Sequence, residues 1–91
     1  MAKTSPWFVY LLRCWDDSLY CGITSDVKRR LSQHNSGKGA KYIIPARRPV
    51  KCVWKTKVKD KSTALILEYR VKQCSRRVKL AIIKKGHKGF L

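Results

Sequence analysis

Five side chains in this sequence carry the acid–base, cationic and carboxylate groups from which a reacting centre can be assembled: Tyr10, Tyr20, Arg30, His34 and Glu68. A phenol can orient a water molecule or take its proton, an arginine can stabilise developing negative charge, and a carboxylate can hold a divalent cation. Each also has an ordinary structural use. Tyrosines pack sheets, and a lone inward histidine commonly sits hydrogen-bonded in a core. Glu68 is the only glutamate and lies inside the apolar run ALILEY. An unpaired carboxylate there is costly, so it calls for a metal or for a cation such as Lys72, one turn later, in an i,i+4 ion pair. A joint role requires that the chain bring the five together.

The segment 7–13 (WFVYLLR) is β-rich, Asp16-Asp17-Ser18 is a turn cluster, and 19–23 (LYCGI) follows as a short strand, which reads as a hairpin. A three-residue loop with Trp15 opposite Leu19 sets Tyr10 opposite Thr24 and Tyr20 opposite Cys14. Side chains alternate with period two, so that register places both phenols on one face, whereas a two-residue loop places them on opposite faces. Cys14 and Cys21 can also meet across such a hairpin.

Thr24 or Ser25 can cap the next helix, with Asp26 in its first turn. Val27, Arg30, Leu31 and His34 recur at i, i+3, i+4, i+7 and define its inward face. The adjacent arginines therefore differ: Arg29 faces water or phosphate, and Arg30 is drawn to the sheet beside His34. Gly37-Lys38-Gly39 ends this helix. Residues 40–49 form a basic loop. In 50–58 (VKCVWKTKV), Val50, Cys52, Trp54, Thr56 and Val58 alternate with a lysine-rich outer face, as in a half-buried strand. Asp60 or Ser62 caps a second helix, roughly 62–74, whose apolar residues point in nearly all directions and mark it as the most buried. A third helix runs from about Ser75 to Lys85 and stops at Gly86, and Phe90 of the tail packs back. The order β-β-α-β-α-α predicts an α+β fold, a three-stranded antiparallel sheet covered by three helices.

The chain has 91 residues, 44% of them hydrophobic, enough for one small core and one domain. No apolar run is long enough to span a bilayer, so a membrane is not an expected partner and a cytoplasmic location is. The four cysteines show no paired metal-ligand spacing and are expected as free thiols. Lys and Arg number 22 against 5 Asp and Glu, a net charge of +17, and a polyanion such as nucleic acid is what offsets such self-repulsion. Lys28, Arg29, Lys38, Lys41, Arg47, Arg48 and Lys72 are the candidate phosphate contacts. Beside this polyanion signature, the phenols, Arg30, His34 and Glu68 make a phosphodiester-cleaving set.

The ordered string VYLLRC, LYCGITSDVKRRLSQHN, ALILEYRVKQ resembles the GIY-YIG nuclease superfamily over nearly the whole chain. Residues 9–11 (VYL) stand in the place of GIY, 20–22 (YCG) in that of YIG, and the arginine, histidine and glutamate follow in order. The likeness is closest to a small single-domain bacterial branch (UPF0213-like) marked by Y-x-G-I-T and H-N-x-G-K-G-A-K. The resemblance implies a Mg²⁺- or Mn²⁺-dependent DNA endonuclease of repair or recombination, preferring DNA structure or weakly specific for sequence. Tyr10 and Tyr20 would flank the scissile phosphate, Arg30 would stabilise phosphoryl charge, His34 would contact phosphate or assist proton transfer, and Glu68 would hold the metal. Gly22 would let the backbone turn into the helix. The chain departs from the pattern at Phe8, at Cys21 and at Ile23, where some members carry a lysine. The alternative is a non-catalytic module binding DNA or RNA on the same fold. Specificity would come from DNA shape, a protein partner or a homo-oligomer.

Overall fold

A computed structural model describes residues 6–90. Strands β1 (Trp7–Arg13) and β2 (Leu19–Thr24) are followed by helix α1 (Val27–Asn35). Then come strand β3 (Lys51–Val58) and helices α2 (Lys61–Gln73) and α3 (Arg76–Lys85). The sheet is antiparallel with order β2-β1-β3, so the most apolar strand lies in the centre. This is the expected α+β arrangement, three strands and three helices in the order β-β-α-β-α-α.

The hairpin loop has three residues, but they are Trp15, Asp16 and Asp17. The Cys14 N–H donates to the Ser18 carbonyl at 2.8 Å, and Tyr10 stands opposite Gly22 and Leu12 opposite Tyr20. The register is thus two residues from the expected one and keeps its parity. Two local preferences select it. Asp17 takes the left-handed conformation (φ 69°) that ends such a loop, and the Asp16 carboxylate accepts from the Ser18 N–H at 3.1 Å.

Period two sends alternate β1 side chains to two layers. Val9 and Leu11 join Cys21, Ala64, Val71 and Ile82 under α2 and α3. Tyr10, Leu12 and Cys14 join Ile43 and Val50 on the opposite face, with Tyr20, Leu31 and Cys52 packed against them. Cys14 and Cys21 therefore lie on opposite faces, and all four cysteines are free thiols. The pairing of β1 with β3 shifts between Leu11 and Leu12, leaving Val53 as an extra residue. Because of that shift, Val50 and Cys52 face one layer while Trp54 and Val58 face the other, where a single inward face was expected.

Other expectations are corrected by capping and by helix phase. Asp26 itself caps α1, accepting from the Arg29 N–H at 3.0 Å, while the Thr24 hydroxyl accepts from the Asp26 N–H. Asp60 caps α2 through the Thr63 N–H and Ser75 caps α3 through the Val78 N–H. Helix α2 is not the most buried element. Only Ala64 and Val71 are fully covered, and Leu65, Ile66 and Tyr69 are exposed, because a helix lying on one sheet face can bury only one stripe. The tail packs through His87, edge-on to Trp54, and Phe90 is 41% exposed. Leu91 lies outside the described residues.

Asp26 fixes the first turn of the helix that carries Arg30 and His34. Asp26→Ala should cost about 1 kcal/mol, read as a lower urea midpoint at unchanged slope.

Candidate active site

The even register brings Tyr10 and Tyr20 out on one sheet face, diagonally across the hairpin, with ring centroids 6.4 Å apart. Their neighbourhood is set by the absence of a side chain at Gly22. The Tyr10 ring lies across this residue, and a Cβ there would stand 2.5 Å from the phenol oxygen. Gly22 lies in mid-strand, opposite Tyr10, so its role is clearance for the ring and not the turn into α1 that was expected.

Helix α1 crosses this face. His34 is fully buried, and its Nε2 lies 2.9 Å from the Tyr10 hydroxyl. The other nitrogen, Nδ1, accepts the Ala40 backbone N–H at 3.2 Å. A nitrogen that accepts an N–H carries no proton, so neutral His34 holds its hydrogen on Nε2 and donates it to Tyr10. The Tyr10 hydroxyl keeps its own hydrogen free for a further acceptor. Gly39 permits this: a Cβ at that position would collide with His34 Nδ1 and lie 2.7 Å from its Cα. The loop after α1 thus sets the histidine tautomer.

Arg30 is half-buried, as its helix phase predicts, and Arg29 is exposed. The Arg30 Nη1 donates to Gln33 Oε1 at 2.9 Å, and its charge acts on both phenols. Burial nevertheless pushes the Tyr10 phenol up to about 12, with Tyr20 adding to the rise and Arg30 opposing it. Tyr20 is raised as well, chiefly by burial, against the pull of Lys72 and Arg30. The cationic neighbours by themselves would lower both phenols. Desolvation outweighs those neighbours here. His34 is pushed down to about 4 by burial and then by Arg30, so it is neutral at physiological pH.

Glu68 approaches from α2 in the other layer. Its side chain is 17% exposed, and Lys72 Nζ lies 3.4 Å from its Oε2. The charges of both act on Tyr20 and on Cys21, the residue that follows it in β2. The i,i+4 ion pair is therefore present, on the helix that packs against β2. Among the described residues no three His, Cys, Asp or Glu side chains cluster as a metal site. A lone carboxylate still suits a Mg²⁺-type ion, which keeps several waters and completes its shell with substrate phosphate oxygens.

Of the candidate phosphate contacts, Lys28, Arg29, Lys38 and Lys41 are exposed. Arg47 and Arg48 have structural partners instead. The Arg47 Nε donates to Asp16 at 2.9 Å and its guanidinium lies over the Tyr42 ring at 4.1 Å, while Arg48 donates to the Ile43 carbonyl. Tyr42 escaped the sequence reading. It stacks on Tyr20 with centroids 5.7 Å apart and planes 25° from parallel, and so forms a wall of the site. An aromatic residue inside a basic loop was the available signal.

Residues 6–81 match the family model described as the GIY-YIG catalytic domain. The chain belongs to the GIY-YIG family. A UPF0213 protein of Vibrio cholerae is 52% identical over 80 residues, covering 87% of this chain and 78% of that one. The UPF0213 protein YhbQ of Escherichia coli K12 is 48% identical over 82 residues, covering 90% and 81%. Among solved structures, the UPF0213 protein BH0048 of Bacillus halodurans is similar, with TM-score 0.57, 43% identity and coverage of 91% and 88%. Protein EF2693 of E. faecalis gives TM-score 0.62 and 38% identity, with coverage of 96% and 92%. No described helix of this GIY-YIG chain is long and apolar enough to cross a membrane.

Three outcomes follow from this geometry. Nitrogen NMR of His34 should show protonated Nε2 and bare Nδ1 from pH 8 down to about pH 5, given its folded pKa of about 4. A histidine ordinarily titrates near 6.5 in an unfolded chain, so this group stabilises the fold above that value, and its contribution falls away as pH drops from 6.5 toward 4. On the order of 1–3 kcal/mol should be lost there in urea titrations, and His34→Gln should flatten that slope. Gly22→Ala should cost about 1–3 kcal/mol by overpacking and shift the Tyr10 ring resonances, because the intruding methyl meets a buried phenol.

Proposed function

We propose that this chain is a divalent-metal-dependent DNA endonuclease that hydrolyses phosphodiester bonds and acts in repair or recombination as a single nuclease domain. The observation that carries the reading is the convergence of Tyr10, Tyr20, Arg30 and His34 on one sheet face, with the charge of Glu68 reaching Tyr20 from the neighbouring layer. Family membership and the charge of +17 support a polyanionic substrate.

In this reading the two phenols flank the scissile phosphate, and one orients or deprotonates the attacking water. Arg30 stabilises charge on the phosphoryl oxygens. His34 is neutral and has both nitrogens engaged, so its part is to position Tyr10 by donating to its oxygen. Glu68 would hold Mg²⁺ or Mn²⁺, which when bound neutralises phosphoryl charge and acidifies coordinated water. Lys28, Arg29, Lys38 and Lys41 would track the phosphate backbone, and Lys72 would contact it beside Glu68. Preference for DNA structure would come from DNA shape, a protein partner or a second copy.

The decisive assay follows nicking of supercoiled plasmid and of flap or junction DNA with each metal. Tyr10→Phe, Tyr20→Phe and Glu68→Ala should each lower the rate at least 100-fold while binding DNA like the wild type. With both phenols raised in the free protein, the wild-type rate should also climb with pH from 7 to 9. Equal binding by all four proteins without cleavage under either metal would leave a nucleic-acid-binding module, whose affinity should fall steeply with salt.

A further inference from the structure

Among the five acidic residues, Glu68 alone has no architectural duty. Asp26 and Asp60 cap helices, Asp16 holds Arg47, and Asp17 pairs with Arg13 and Arg76. The partner of Glu68 is Lys72, whose Nζ lies 3.4 Å from Oε2 within one turn of α2. The two differ in access: the glutamate side chain is 17% exposed and the lysine side chain 50%. A recessed carboxylate thus sits beside a movable ammonium.

We infer that Lys72 is a placeholder cation: it occupies Glu68 in the free protein, obstructs a divalent ion there, and moves to substrate phosphate when nucleic acid binds. The inference rests on the metal-holding role of Glu68 proposed above. Charge balance is the first argument. A divalent ion beside Lys72 and one carboxylate leaves a local charge of +2, in a protein already at +17, and no second acidic group is free to offset it. A phosphodiester brings both the missing negative charge and the oxygen ligands that a lone carboxylate cannot supply.

The second argument is location. Lys72 and Glu68 lie on α2, which packs on β2, the strand that carries Tyr20, and the charge of Lys72 acts on that phenol. The third is magnitude. A single i,i+4 pair whose lysine is half exposed to solvent is weakly held, so it suits a contact made to be exchanged better than a strut. The long stem and three donors of lysine allow it to pass from a carboxylate oxygen to a phosphate oxygen. By linkage, metal and nucleic acid must then raise each other's affinity by the same factor.

The test measures metal binding without catalysis. Mn²⁺ is titrated into the 91-residue chain, and paramagnetic broadening of the Cys21 and Lys72 amides is followed by NMR. In Lys72→Met the midpoint should fall about 3- to 10-fold relative to wild type. Lys57→Met removes an equal charge from exposed β3 and should move it less than twofold. A short DNA duplex should lower the wild-type midpoint more than that of Lys72→Met. Equal midpoints for wild type and Lys72→Met, or equal shifts in the two lysine variants, would overturn the placeholder role while leaving the endonuclease reading intact. Broadening that persists undiminished in Glu68→Gln would instead remove Glu68 as the metal holder.

Discussion

The buried hydrogen bond between His34 and Tyr10 is the constraint on which the rest of the site depends. It ties the central strand to α1 at 2.9 Å, and it has one consistent protonation pattern. If His34 were charged, both nitrogens would be donors, and Nδ1–H would point at the Ala40 N–H that now donates to it. The cation would also lie near Arg30 with no carboxylate among its partners. Neutrality, the Nε2–H tautomer and the path of the loop through Gly39 are therefore one requirement. Gly22 meets the corresponding requirement on the strand side, since only a residue without Cβ lets the Tyr10 ring lie across its neighbour strand.

Charge imposes a second order on the molecule. With 22 cations and 5 anions, every acidic side chain has a cation or a backbone N–H as partner. Four of the five carboxylates hold backbone N–H groups or arginines that fix the hairpin loop and two helix starts. Most of the remaining cations face water, where salt screens them over roughly 8 Å. The positive field is consequently felt most where several cations crowd a partly desolvated spot. The tyrosine face, on which the charges of Arg30 and Lys72 act, is such a spot.

What could be read from the sequence divides along the range of the forces involved. Strand and helix order, the inward phase of Arg30 against Arg29, and the Glu68–Lys72 pair follow from local periodicity, and all three are present. The parity of the hairpin was legible as a condition, but its register was not, because Asp17 in a left-handed conformation and the Asp16 cap on Ser18 decided between loops of equal length. Helix α2 was misread since apolar content was taken for burial. Leu65, Ile66 and Tyr69 lie beyond the stripe that one sheet face can cover. Tyr42, the switch of faces at Val53 and the duties of Arg47 and Arg48 arise from contacts between segments far apart in sequence, which no local pattern encodes.

The phenol shifts bear on how the site could work. At a pKa of about 12, only about one Tyr10 in 10⁵ is ionised at pH 7, so the resting residue is a hydrogen-bond donor. Its oxygen already accepts from His34, so its own hydrogen remains to be given to another acceptor. A phosphate oxygen is such an acceptor. Donation by a phenol that is itself receiving a hydrogen bond is strengthened by that bond, so His34 improves Tyr10 as a donor without changing charge. Use of Tyr10 as a base would require a nearby cation to reverse the effect of desolvation, and Arg30 alone does not reverse it. Burial thus favours the protonated phenol until a further positive charge enters the site.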